Sequence, residues 1–247
     1  MSTSVTRALR VLAFLADSDK PQALVHISEH LGAPKSTVHG ILRDLLAEQF
    51  IEAVDPGGYV IGLRAFEVGA ARLRQVSAVA IVSPELARLT RELNVTSHYA
   101  VLDQADVVYL CKEDPPSLGI QLASSVGARL TSHWTAVGKA CLAWLDDDRV
   151  QDHIDLRRTN ARARTHQMPA LLAELARVHS QGYATDDGET AAGIQCVAAP
   201  VFDHEACCGA IGVSYPRDMG PAPEDIAVEV RAAARQATGR LGGWTPT

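Results

Sequence analysis

Residues 24–43 read Leu24-Val25-His26-Ile27-Ser28-Glu29-His30-Leu31-Gly32-Ala33-Pro34-Lys35-Ser36-Thr37-Val38-His39-Gly40-Ile41-Leu42-Arg43, and this stretch decides the fold of the front of the chain. Ile27 and Leu31 fall on one face of a short helix, and Gly32 stops it. Pro34 opens the next helix as a first-turn residue. That helix runs to Gln49, with Val38, Ile41, Leu42, Leu45 and Leu46 on its inner face. Two helices across the short Gly32-Ala33 turn make a helix-turn-helix. Upstream, Val5, Ala8, Leu9, Leu12 and Leu15 recur at helical steps, with Ser4 as the expected cap. Downstream, apolar runs at 50–54 and 59–61 flank Asp55-Pro56-Gly57-Gly58, which predicts a hairpin, the wing. The third helix turns Lys35, Ser36, His39, Gly40 and Arg43 outward. Hydroxyls and an arginine on one helical face suit phosphates and base edges in a major groove. The same set also fits the solvated side of an ordinary three-helix bundle. Gly40 costs a helix interior about 1 kcal/mol against Ala, and its small size permits a close backbone approach.

Residues 63–76 continue as a helix, and 84–93 as another that begins at Pro84; the boundary is placed at 77–83. Beyond Thr96 the pattern changes to strands. Residues 97–102 and 107–111 form a hairpin around Asp103-Gln104-Ala105-Asp106, and 194–202 with 206–215 form a second around Asp203-His204-Glu205. Helical patterns lie at 136–145, 169–181 and 223–241. This predicts an α+β domain whose central antiparallel sheet carries helices on one face and leaves the other for a ligand.

The chain has 247 residues and a net charge of −6. Residues 1–78 hold eight basic and eight acidic side chains, so the whole acidic excess lies behind them. A neutral front module has few phosphate-neutralising cations, so DNA binding would need dimerisation to multiply the contacts. Aromatics at 5% disfavour a stacking surface for single strands. No stretch approaches the roughly 18 apolar residues of a membrane span, and the first nineteen residues lack a signal peptide's apolar core. Five cysteines, an odd number, argue against a disulfide framework, so the expected compartment is the cytoplasm.

Four motifs in order resemble the IclR-type transcriptional regulators. They are Ala33-Pro34-Lys35-Ser36-Thr37-Val38-His39; Tyr59-Val60-Ile61-Gly62 with Arg64; Ala136-Val137-Gly138-Lys139-Ala140 with Leu142-Ala143; and Gly182-Tyr183-Ala184, Asp186-Asp187, Glu189, Gly193 with 196–202. The resemblance covers roughly residues 4–240. It implies an α+β chain: an N-terminal winged helix-turn-helix (1–62), a linker helix and boundary (63–78), and a C-terminal GAF-like (profilin-like) antiparallel sheet domain with flanking helices (79–247) that binds an effector. It implies homodimers or homotetramers on double-stranded operator DNA, and a carboxylate or aromatic metabolite as effector. The implied DNA contacts are Lys35, Ser36, Thr37, His39 and Arg43, with Gly58 and Tyr59 in the wing. The implied pocket includes Ala136, Val137, Asp186, Cys196 and Ser214, with Leu122, Leu130 and Trp134 as its apolar wall. This chain departs from the family pattern at Gly40, Gln49, Trp134 and Gly212; the last stands where relatives carry a hydroxyl residue.

Ala136–Gly138 begins a helix whose free N–H groups favour an anion, and Cys196 and Ser214 can donate to a ligand oxygen. Simpler readings stand beside these. Lys139 reads as an exposed helix-flank lysine, Asp186–Glu189 as a capping or solvated turn, and Cys196 as a small core residue. His204, Cys207 and Cys208 fall short of a zinc set, and the vicinal cysteines offer oxidant sensing as a rival input. No Gly-x-Ser-x-Gly, phosphate-loop or His-Glu-x-x-His motif occurs. An enzyme on a GAF-like domain is the second hypothesis; no catalytic residue, metal ligand or cofactor is assigned.

Overall fold

The computed structural model describes residues 3–55, 57–75, 77–116, 125–154 and 167–244. By its internal contacts the chain divides into two compact units, 1–75 and 76–247.

In the first unit, α1 (Ser4–Ala16), α2 (Leu24–Leu31) and α3 (Lys35–Ala47) pack around Val11, Leu15, Ile27, Leu31, Val38, Ile41 and Leu42. Thr3, not Ser4, caps α1: its hydroxyl accepts the Thr6 N–H at 3.3 Å. Pro34 is the residue before α3 rather than its first turn. The wing is β2 (Ile51–Val54) and β3 (Gly58–Ile61), with the two-residue β1 (Gln22–Ala23) on the other side of β3. No periodicity marks β1; it exists because Gln22 and Ala23 pair with Tyr59 and Gly58. α4 (Leu63–Gln75) closes the unit.

The second unit opens with α5 (Ser77–Leu93), which begins at Ser77, where the sequence had suggested a break, and carries Pro84 inside it. A six-stranded antiparallel sheet follows, in the order β6-β5-β4-β9-β8-β7. Its strands are β4 (Thr96–Asp103), β5 (Asp106–Glu113), β6 (Arg129–Thr131), β7 (Ala184–Asp187), β8 (Ile194–Phe202) and β9 (Cys207–Pro216). The expectation of helices on one face is corrected: both faces are covered. α5 and α9 (Pro223–Arg240) pack on Tyr99, Val197, Ala199, Val201, Ile211 and Val213. α6 (Ala136–Leu142), α7 (Asp147–Asp152) and α8 (Gln167–Gln181) lie on the side of Ala100, Tyr109, Ala198 and Ala210. The reason is visible in β8, which reads Val197-Ala198-Ala199-Pro200-Val201: successive side chains point to opposite faces and all are apolar, so both faces must be buried. A pocket lies between α6 and the sheet. Among the described residues, no helix is long and apolar enough to cross a membrane.

Candidate functional sites

In α3 the side chains of Lys35, Ser36, His39 and Arg43 are exposed and Thr37 is half-buried, while Val38, Ile41 and Leu42 are buried behind them. The helix therefore presents the polar strip the sequence suggested. Arg43 pairs with Asp44 at 3.0 Å, but both side chains are more than 70% exposed, so the pair is weak and a phosphate can displace it. A Cβ at Gly40 would meet nothing within 4 Å. Nothing inside the chain demands glycine there. The two wing residues are different. A Cβ at Gly58 would lie 2.6 Å from that of Pro21, so packing within the unit requires the glycine. Tyr59 sits on the central strand of the wing sheet and is half-buried against the Val11–Leu42 core.

In the second unit, β pairing lines up the chemistry. Asp186, Cys196 and Ser214 are direct cross-strand partners on β7, β8 and β9. The next row on the same face is Ala198, Gly212 and His98. Above these rows runs the start of α6. Gly138 is obligatory there, because a Cβ would fall 1.9 Å from the Ser132 carbonyl oxygen. The close approach lets Thr135 cap the helix, its hydroxyl accepting the Gly138 N–H at 3.0 Å. Between helix and sheet lies a pocket of about 420 Å³, counting its open mouth. Leu130, Ala136, Val137, Asp186, Cys196 and Ser214 line it, together with His98, Tyr109, Thr135, Thr190, Ala191 and Ile194, which sequence reasoning missed. Leu122 lies outside the described residues. Trp134 is not part of the lining: its ring turns onto His133, centroids 5.5 Å apart, and its carbonyl accepts the Thr190 hydroxyl at 3.2 Å.

The acidic turn has a defined job. The buried Asp186 carboxylate accepts the backbone N–H groups of Glu189, at 2.7 Å, and Thr190, at 3.4 Å. This fixes the turn that brings Thr190 and Ala191 to the pocket. Lys139 anchors the same turn, and here the exposed-flank reading is overturned. Its side chain is 1% exposed, and Nζ reaches Glu189 at 2.5 Å, Glu174 on α8 at 2.9 Å and the Thr185 carbonyl at 3.2 Å. Burial would lower the lysine's pKa, but the hydrogen bonds to the two carboxylates outweigh it and the net shift is upward, so the ammonium stays charged. Burial raises the Glu189 carboxyl, and Lys139 offsets only part of that.

His98 is buried and neutral; burial first, then Lys112, lowers its pKa to about 3. Its Nδ1 has no hydrogen-bond partner, and its ring meets Tyr109 edge-on at 5.1 Å. The Cys196 thiol, 3.2 Å from the Ser214 hydroxyl, is pushed up to about 12 by burial and by Asp186, so it is a thiol donor and not a thiolate. The vicinal cysteines do not form a pair. Cys207 packs on the α6 side and hydrogen-bonds Cys141, which raises the Cys141 thiol. Cys208 packs on the opposite side, against Tyr99, its thiol pushed up to about 11 by burial. Oxidants attack thiolates, and the Cys141 and Cys208 thiols are both shifted away from the thiolate. Among the described residues, no group of three or more His, Cys, Asp or Glu could hold a metal ion.

Comparison with known proteins adds the family. The model described as "Bacterial transcriptional regulator IclR C-terminal" matches residues 70–238, and the "IclR helix-turn-helix domain" matches residues 4–55. The "Transcriptional repressor IclR" of Escherichia coli (strain K12) is 33% identical, covering 97% of this chain and 90% of that protein. The regulator KdgR of the same organism is 30% identical, covering 97% and 94%. An IclR homologue of Microbacterium hydrocarbonoxydans, solved in complex with 4-hydroxybenzoate, shares the fold with a TM-score of 0.81 at 23% identity, covering 97% of this chain and 99% of that one. These relatives are regulators of transcription and not enzymes. With a helix-turn-helix front and a sheet-and-helix rear both matched, the chain belongs to the IclR family of transcriptional regulators.

Proposed function

We propose that this chain is a cytoplasmic, effector-responsive regulator that reads operator DNA with α3 and senses a small organic acid in the α6 pocket. Lys35, Ser36, Thr37, His39 and Arg43 make the DNA contacts; Gly58 and Tyr59 hold the wing in shape, and the wing tip lies against the phosphate backbone. The observation that carries the reading is the pocket itself: six side chains named from sequence motifs scattered over 130–214 surround one cavity next to a buried polar row. A carboxylate or aromatic acid suits its mixed lining, and one structural neighbour was solved with such a molecule.

The working form is a homo-oligomer. Val5 and Leu9, one turn apart on α1, are 69% and 61% exposed; Leu63 and Phe66 on α4 are 65% and 68% exposed. Apolar faces of this kind are covered in a working protein, and a second copy covers them while doubling the few phosphate-facing cations.

The test is fluorescence anisotropy of labelled DNA from upstream of the protein's own gene. Specific binding that weakens steeply with salt, and that a small organic acid shifts, is expected. Binding no tighter than to random duplex, with and without aromatic and aliphatic acids, overturns the reading.

A further inference from the structure

We infer that a second binding site lies where the outer edge of β8 meets α9, and that it takes an aryl carboxylate. Arg231 and Arg235 hold the carboxylate; Trp144 and Phe202 hold the ring. The inference does not depend on the effector reading, because no residue of this site lines the α6 pocket.

The sheet edge makes the space. β7 stops opposite Ala198, so among the described residues β8 runs on through 199–202 with no strand on that side. Proline at 200 fits such an edge, since it has no N–H to offer a further strand. In place of a strand stand the turn at Gly182, the side chain of Trp144, and Arg231, Ala234 and Arg235 of α9. With β8 they enclose a cavity of about 360 Å³, counting its open mouth. Its aromatic wall is held in place. Trp144 meets Phe202 edge-on, centroids 4.9 Å apart, and lies 4.2 Å from the His179 ring. Phe202 is buried, and its backbone N–H donates to the Thr238 hydroxyl of α9 at 3.1 Å.

The rim is cationic and uncompensated. Arg231 and Arg235 stand one turn apart on α9, and both are exposed. Among the described residues neither makes an ion pair, whereas Arg88, Arg129, Arg217 and Arg240 each hold a carboxylate. No acid is in reach along the helix either. The positions three and four away from the two arginines are Ala227, Val228, Ala232, Ala234, Thr238 and Gly239, and the arginines themselves. Like charges at this spacing repel. Two unpaired cations side by side also run against the acidic excess of residues 79–247. An anion between them removes the repulsion and gives each guanidinium a charge-assisted hydrogen bond. The two halves together define the ligand. Inorganic phosphate satisfies the arginines and leaves the aromatic wall bare. An uncharged arene covers the wall and leaves the arginines as they were. A planar ring bearing a carboxylate does both, because it packs on aromatic side chains and pairs with guanidinium.

The experiment is ¹⁹F NMR titration of the full chain labelled with 5-fluorotryptophan, following the Trp144 signal, which Trp144→Phe identifies. Benzoate, phenylacetate and 2-naphthoate are compared with inorganic phosphate, the charged head alone, and benzyl alcohol, the ring alone. At least one carboxylate shifts the signal saturably and binds about fivefold or more tighter than either control. Combining Arg231→Gln with Arg235→Gln weakens that binding about five- to tenfold. The same double variant keeps its Tm, since neither side chain is buried or paired. A Trp144 response that survives the double substitution overturns the inference. So does a carboxylate matched by phosphate or by benzyl alcohol, or no response to any of the three carboxylates up to about 10 mM. None of these outcomes bears on the α6 pocket, whose lining the variants leave intact.

Discussion

Lys139→Met isolates the charge buried beneath the pocket turn. Methionine keeps an unbranched apolar stem in the same tunnel and removes only the ammonium. In the wild type that ammonium serves three acceptors: Glu189, Glu174 and the Thr185 carbonyl. Removing one partner of a buried pair costs roughly 3–5 kcal/mol. The two glutamate side chains are 42% and 30% exposed, so water recovers part of that, and the expected loss is about 2–3 kcal/mol. For a unit of this size that lowers Tm by about 4–12 °C. The sign of the pH dependence is a second test. Burial already raises the Glu189 carboxyl, and the variant removes the ammonium that offsets it, so the folded-state pKa rises further above its unfolded value. Such a group takes up its proton more readily when folded, so the variant regains stability as pH falls through the folded pKa. The gap between wild type and variant, read by urea unfolding at about pH 7 and about pH 5, should narrow on acidification. A gap below about 1 kcal/mol at neutral pH, or one that widens in acid, refutes the buried-anchor account of Lys139.

Three further changes probe the front unit. Gly40→Ala stabilises it by about 1 kcal/mol, since a Cβ there meets open space and alanine is the better helix former; a fall in Tm would contradict this. Arg43→Ala leaves the melting curve unchanged, because its pair with Asp44 is exposed, but weakens operator binding about five- to a hundredfold; unaltered affinity at physiological salt would remove Arg43 from the contacts. Phe66→Glu places a charge on the exposed apolar face of α4 and shifts sedimentation towards the monomer; an unchanged oligomer would place the interface elsewhere.

The helix-turn-helix was legible because everything that defines it is local: the spacing of Ile27, Leu31, Val38 and Leu42, a stop at Gly32 and a proline at 34. The sheet hairpins were legible for the same reason. What the sequence hid was made by distant pairing. β1 is two residues long and exists only through β3. Pro84 looked like a helix start, yet α5 carries it internally. Lys139 looked exposed because its partners, Glu174 and Glu189, lie far along the chain on α8 and in the turn after β7. Trp134 was misplaced because it ends the 3₁₀ segment Ser132–Trp134 and its ring packs on its neighbour His133, a contact no periodicity marks. His98 had a signal that went unread. A glycine inside the apolar run of β9 marks a close approach by a neighbour, and its β4 register partner is that neighbour.

The charge distribution and the pocket lead to one conclusion about how such a molecule can respond at all. The front module is electrically neutral over 1–78, and its α3 face offers two cations, Lys35 and Arg43, the latter already leaning on Asp44. One copy therefore gains little from counterion release, and in the proposed homo-oligomer binding strength would depend on how two copies are spaced on the duplex. Affinity that hinges on spacing is sensitive to small movements in the part that holds the copies together. Thr190 and Ala191, which line the pocket, sit on the turn fixed by Asp186, and Lys139 ties that same turn to α6 and to α8. On the proposed effector reading, a ligand that presses on Thr190 would act on α6 and α8 through the Lys139 ammonium. Under the proposed function an effector would need no contact with DNA to change how tightly DNA is held; it would need only a different affinity for two arrangements of that anchored turn.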